Sequence, residues 1–136
     1  MKVLDRGRLH ISAVCVGAAE RLIRDSLAYA MERRQFGEPI AEKQLVQAML
    51  ADSRAEAYAA RCMIEETARR KDAGLSVSTE AACCKMYASE MVGRVADARC
   101  RSMEGRATWP NMRSNASIAT CGCSASMKAR PRSSSW

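Results

Sequence analysis

Large aromatic side chains are scarce here: one Phe, two Trp and three Tyr in 136 residues, against abundant alanine. That balance leans towards packed helices. Histidine occurs once, and no His/Cys spacing suits a zinc site, so no metal site is expected. No apolar run approaches the roughly 18 residues needed to cross a bilayer, so no membrane span is expected. The stretch Met1 to His10 is charged and lacks an apolar core, so no secretory leader is expected either. The seven cysteines are scattered, and Cys83 and Cys84 are adjacent on a predicted helix. This argues against a disulfide framework and for free thiols in a reducing, intracellular compartment, cytoplasmic or, in a eukaryote, the mitochondrial matrix.

The net charge of +7 invites a nucleic-acid reading, but its distribution opposes one. Residues 1–98 carry 15 basic and 14 acidic side chains, whereas residues 99–136 carry seven basic and one acidic. The basic excess belongs to the tail and not to the body, and no nucleic-acid partner is expected.

Three long helical patterns fill the body. The first spans about residues 8–33, with one apolar stripe at Ile11, Cys15, Ala18 and Leu22 and another at Val16, Ile23, Leu27 and Ala30. Two stripes imply burial on more than one side. Phe36-Gly37-Glu38-Pro39-Ile40 then breaks the helix and imposes a fixed turn. The second pattern runs from about Glu42 to Ala73, with Leu45, Ala48, Ala55, Ala59 and Cys62 in register. Glu42 in its first turn and Arg69, Arg70 and Lys71 in its last complement the helix dipole, and the Glu65-Glu66/Arg69-Arg70 spacing suits surface ion pairs. Gly74 reads as a C-cap and Ser78 as the next N-cap. The third pattern carries Cys84, Tyr87, Met91 and Val95. Short connections make neighbours antiparallel. The predicted fold is all-α: an antiparallel, up-down, incomplete four-helix bundle of three long helices over residues 1–98. Residues 99–136 form a basic, Ser-rich tail without Leu, Val, Phe or Tyr, expected to be disordered.

The run Glu32-Arg33-Arg34-Gln35-Phe36-Gly37-Glu38-Pro39-Ile40, followed by Gln44, Gln47 and Leu50-Ala51-Asp52, resembles the acyl-CoA dehydrogenase pattern Arg-x-x-Phe-Gly-x-Pro-Ile…Gln…Leu-Ala-Asp. Asp5-Arg6-Gly7-Arg8 is similar to the Asp-x-x-Arg that opens the family's C-terminal helical domain, and Ala82 to Asp97 is similar to its third helix. The resemblance covers about residues 1–98 and omits the family's N-terminal helical and middle β-domains. It implies FAD as cofactor, acyl-CoA as substrate, conversion of the thioester to a trans-2-enoyl-CoA, an electron-transfer flavoprotein as redox partner, and a homo-oligomer. By the same resemblance Arg33, Gln35, Phe36 and Gln44 are cofactor-binding positions: Arg33 and Gln44 reach the flavin of a neighbouring subunit and Phe36 packs in the same turn, while Arg8 lies near the acyl-CoA with Asp5 beside it. A fixed guanidinium suits a diphosphate, and a Gln amide both donates and accepts. Read without the family, Arg33 is a C-terminal dipole partner, Phe36 a core plug, Gln44 a first-turn polar residue, and His10 a surface residue.

The family's third helix leads into Gln-x-x-Gly-Gly-x-Gly-Tyr and later Tyr-Glu-Gly-Thr, whose glutamate is the α-proton base in many members. Neither stretch is present, and Gly7 to Ser12 offers no substitute carboxylate, so no catalytic residue is identified. Both stretches return in another reading frame. Back-translating Ala98 to Gly105 as GCG CGG TGC AGG TCC ATG GAG GGG and reading from each third base gives Ala-Val-Gln-Val-His-Gly-Gly. Continuing through Pro131 allows Ala-Gly-Tyr-Met-Ala-Glu-Tyr-Ala-Val-Glu-Arg-Ile-Tyr-Arg-Asp-Val-Arg-Leu-Phe-Arg-Ile-Tyr-Glu-Gly-Thr-Ser-Glu. Only the first base of each new codon is free, so this implies a frame change, natural or from sequencing, close to Asp97–Arg99. The base would fall near Met127 and Lys128, and the chain alone is expected to be inactive, with little hold on FAD. The alternative is a non-enzymatic helical interaction module whose basic tail binds nucleic acid or membranes; the tail lacks the aromatic interleaving or amphipathic period such binding uses.

Overall fold

The protein is represented by a computed structural model, which describes residues 2–102. Three helices, α1 (Lys2–Glu32), α2 (Gln44–Asp72) and α3 (Ser78–Ser102), form the all-α bundle that the apolar periods predict. Between α1 and α2 lie a two-residue antiparallel ladder, β1 (Arg34–Gln35) against β2 (Glu38–Pro39), and a 3₁₀ turn over Ile40–Glu42. All three helices touch, and α3 shares its broadest interface with α1.

The core is small and aliphatic. Cys15, Val16, Ala19 and Leu22 of α1 meet Ala57 and Ala60 of α2 and Ala88, Met91, Val92 and Val95 of α3. Alanine at the α2 positions lets the backbones approach, and Met91, fully buried, fills the remaining space. Hydroxyls inside the bundle are returned to their own helices. Ser12 Oγ donates to Arg8 O, Ser26 to Leu22 O, Ser53 to Met49 O and Thr67 to Met63 O, all at 2.7–2.8 Å. Satisfied in this way, serine and threonine pack as small, nearly apolar residues.

The register of α2 differs from the expected one. Leu45, Ala48, Ala55 and Cys62 face outward and Ala59 is half-buried, while Ser53, Ala57, Ala60 and Thr67 face the core. An alanine-rich helix offers comparable stripes on two sides, and the internally bonded hydroxyls decide which one is buried. Glu42 lies in the 3₁₀ turn, so the first turn of α2 carries no acid.

Gly74, at φ +81°, ends α2 as expected: Gly74 N–H donates to Lys71 O and Leu75 N–H to Arg70 O, a Schellman arrangement open to glycine at this φ. At the start of α3 the first helical bond goes to Val77 O, from Ala81 N–H, and Ser78 turns its hydroxyl to Asp5 instead of capping the helix. The helix α3 continues four residues beyond the expected boundary at residue 98, through Ser102, because Arg99 and Ser102 fall on its inward face. The remainder of the expected tail lies outside the described residues.

Ion pairs join the helices at their rims. Arg61 meets Glu20 at 2.6 Å, Arg94 grips both oxygens of Glu56 at 2.9–3.1 Å, and Arg70 bridges Glu66 and Glu80. The expected Glu65/Glu66–Arg69/Arg70 pairs are present on the α2 surface. No metal-holding group occurs among the described residues.

Candidate functional site

The hairpin after α1 is tighter than its sequence suggests. Gln35 pairs with Glu38, leaving Phe36 and Gly37 as the two turn residues, at φ +57° and +87°. Two positive φ values in a two-residue loop define a type I′ turn, whose first position favours Asn, Asp or Gly. Phenylalanine there is strained. Its ring is also 95% exposed, so it plugs no core. Ile40 N–H donates to Arg33 O at 2.8 Å and Ile40 is buried, which fixes the hairpin base against the helices.

Behind the hairpin lies a cleft of roughly 380 Å³, lined by Tyr29 and Arg33 from the end of α1, Gln35, Lys43, the first turn of α2 and the end of α3. Among the described residues Arg33, Lys43 and Arg101 line it, and no carboxylate does. The N-terminus of α2 opens onto the cleft through Leu45 and Val46, and Lys43 at its N-cap makes no side-chain capping bond. An uncapped helix N-terminus beside basic side chains attracts an anion, most strongly one with several oxygens.

Of the four sequence-identified cofactor positions, Arg33 and Gln35 line this cleft, Phe36 projects from the hairpin tip, and Gln44 is the exposed first residue of α2. Lys43 and Tyr29 were not singled out by sequence. Lys43 precedes Gln44 directly and Tyr29 lies one helical turn before Arg33, so helical geometry was the available signal.

Asp5 and Arg8 are elsewhere, near the opposite end of α1. At about 1.5 Å per residue, Arg8 is roughly 40 Å from Arg33. Asp5 is buried at 8% exposure, takes Arg8 Nη1 at 3.4 Å and accepts from Ser78 Oγ at 3.3 Å. It thus ties the start of α1 to the start of α3, a link across 73 residues with no local sequence signal. His10 is exposed. Cys15, Cys62, Cys83, Cys84 and Cys100 form no disulfide among the described residues. Among the described residues no helix is long and apolar enough to cross a membrane.

Residues 1–109 match the family described as "Acyl-CoA dehydrogenase, C-terminal domain". The chain is 46% identical over 91 residues to a probable acyl-CoA dehydrogenase of Bacillus subtilis, covering 67% of this chain and 24% of the relative. It is 42% identical over 90 residues to an acryloyl-CoA reductase (NADH) of Anaerotignum propionicum, covering 66% and 23%. Its structure is similar to that of butyryl-CoA dehydrogenase from Megasphaera elsdenii, with a TM-score of 0.82 at 28% identity, covering 90% of this chain and 33% of that one. The chain spans about a quarter of the length of the curated relatives it matches.

Proposed function

Since the chain belongs to the acyl-CoA dehydrogenase family, as its C-terminal helical domain, we propose that it is part of an FAD-dependent enzyme that interconverts acyl-CoA and trans-2-enoyl-CoA thioesters. FAD, when bound, takes the hydride that leaves Cβ while a base takes the proton from Cα. The observation that supports this reading best is the hairpin tip: an aromatic ring exposed at a strained φ, beside a cleft that the described residues line with basic side chains and with no carboxylate.

That site fits a dinucleotide. Arg33 and the open N-terminus of α2 would hold the diphosphate, Gln35 and Gln44 would exchange hydrogen bonds at its polar edges, and the Phe36 ring would cover an aromatic base. At the other end of α1, Arg8, held by Asp5, would face the acyl-CoA. The two groups sit roughly 40 Å apart on one helix. This favours an arrangement in which each domain serves two active centres, its own substrate and a neighbour's flavin, and hence a homo-oligomer. We place the enzyme inside the cell, in the cytoplasm or the mitochondrial matrix, with an electron-transfer flavoprotein as redox partner.

The catalytic base and the glycine turn belong, on this reading, to the alternative frame that opens near Asp97–Arg99. The test reads the coding DNA around codons 95–101 on both strands and assays the product of the frame obtained. A frame change and a product that binds FAD and loses flavin absorbance on addition of acyl-CoA support the reading. An uninterrupted present frame, with a product that holds no FAD and ignores acyl-CoA, reduces the family membership to ancestry.

A further inference from the structure

Lys43 lies beside Glu38 and Phe36 of the hairpin and lines the cleft behind them, and it belongs to none of the motifs that led to that site. It is the N-cap of α2, with an extended backbone whose carbonyl accepts Val46 and Gln47 N–H at 3.0 and 3.1 Å, so its position is fixed by the helix start. Its side chain crosses to the hairpin, where Nζ lies 3.8 Å from Glu38 Oε2 and 5.8 Å from the centroid of the Phe36 ring. It also lines the cleft together with Arg33.

The Glu38 pair is loose and its carboxylate is 66% exposed, so it parks the ammonium without consuming its charge. The ring contact works in the other direction: a cation held over one face of Phe36 restricts a ring that is 95% exposed.

We propose that Lys43 is a second cation for the diphosphate of the bound dinucleotide and a positioning residue for the Phe36 ring. The assignment rests on the dinucleotide reading of the cleft. Lysine suits both tasks, since its flexible stem lets one ammonium move from Glu38 towards a phosphate while staying beside the ring.

The experiment titrates the full chain with ADP and, separately, with adenosine, following hairpin resonances by NMR. It compares the unmodified protein with K43Q, K43R and R33Q at low salt. K43Q should weaken ADP about fivefold, the size of one partly exposed charge contact, and adenosine less than about twofold. K43R should recover most of the loss, and the ring-current shift of the Lys43 ε-protons should vanish in Phe36→Leu. If R33Q abolishes ADP binding while K43Q leaves it unchanged, the Lys43 assignment is wrong and the cleft reading stands. Equal weakening of ADP and adenosine by K43Q also overturns it, because the hairpin would then be disturbed as a whole. If the unmodified chain binds neither probe, the cleft reading fails and Lys43 with it.

Discussion

Phe36 combines two costs that an isolated domain gains nothing from: positive φ on a bulky residue and an almost fully exposed ring. Phe36→Asn should therefore raise stability by about 0.5–1 kcal/mol in urea titration, because Asn tolerates the left-handed region and Asn-Gly is a preferred type I′ pair. The same change should weaken ADP binding, the signature of a residue kept for contact and not for packing. The hairpin shows what was legible at this scale. The Phe-Gly pair marked a break, and the family pattern marked its residues, but the turn type came only from the Gln35–Glu38 register. Another local effect was invisible in sequence until helical spacing was built. Tyr58 and Cys62 lie one turn apart on the outer face of α2, and the hydrogen bond to Cys62, followed by the charge of its thiolate, raises the Tyr58 pKa above its ordinary value. Deprotonating Tyr58 should thus require higher pH than for a free tyrosine, and Cys62→Ala should bring its NMR titration midpoint down; an unchanged midpoint would remove the thiol as cause.

Helix periods predicted all three helices, and the Cys84–Tyr87–Met91–Val95 stripe of α3 does turn inward, with Tyr87 half-buried. The face of α2 was misread because alanine is compatible with either side, so the decision passes to the partners it meets. Ser53 and Thr67 look polar in sequence yet sit inside, since each gives its proton to the carbonyl four residues back; Thr67 Oγ1 also lies 3.3 Å from Cys84 Sγ. With so many alanines at the interfaces, the few larger residues carry disproportionate weight. Met91→Ala would open a cavity at the meeting of α1, α2 and α3, and unfolding in urea should show a loss of about 2–5 kcal/mol with little change in slope. A loss below about 1 kcal/mol would mean that the helices close up around the site and that the core is less fixed than its burial indicates.

For the molecule as a whole, the apolar surface left open is as informative as the core. Val3, Leu4, Ile11 and Val14 are exposed along the first half of α1, and Leu45 and Tyr58 along α2; such surface in a chain spanning a quarter of its relatives' length is what a domain shows without its covering elements. The same logic bears on the reading frame. The inward positions of α3 run Cys84, Ala88, Met91, Val92, Val95 and Ser102, and the next step in that series after Val95 is residue 99. There Arg99 has a side chain only 17% exposed, lining a crevice with Ile23, Met49, Leu50 and Val95, and reaches Asp25 at 3.8 Å. With one base restored after Asp97, the alternative frame puts its Ala at residue 99 and its Val at residue 100, so alanine falls at this inward place. Arg99→Ala should therefore raise stability by about 0.5–1 kcal/mol, since a small apolar side chain of high helix propensity replaces a partly buried charge. Asp25 would keep its bond from Arg21 Nε at 2.9 Å, so no carboxylate is stranded by the change. A lower melting temperature would show that the bundle has fitted itself to arginine, and the frame argument would then rest on its codons alone. A higher one would mean that the fold itself prefers the other frame at this inward position.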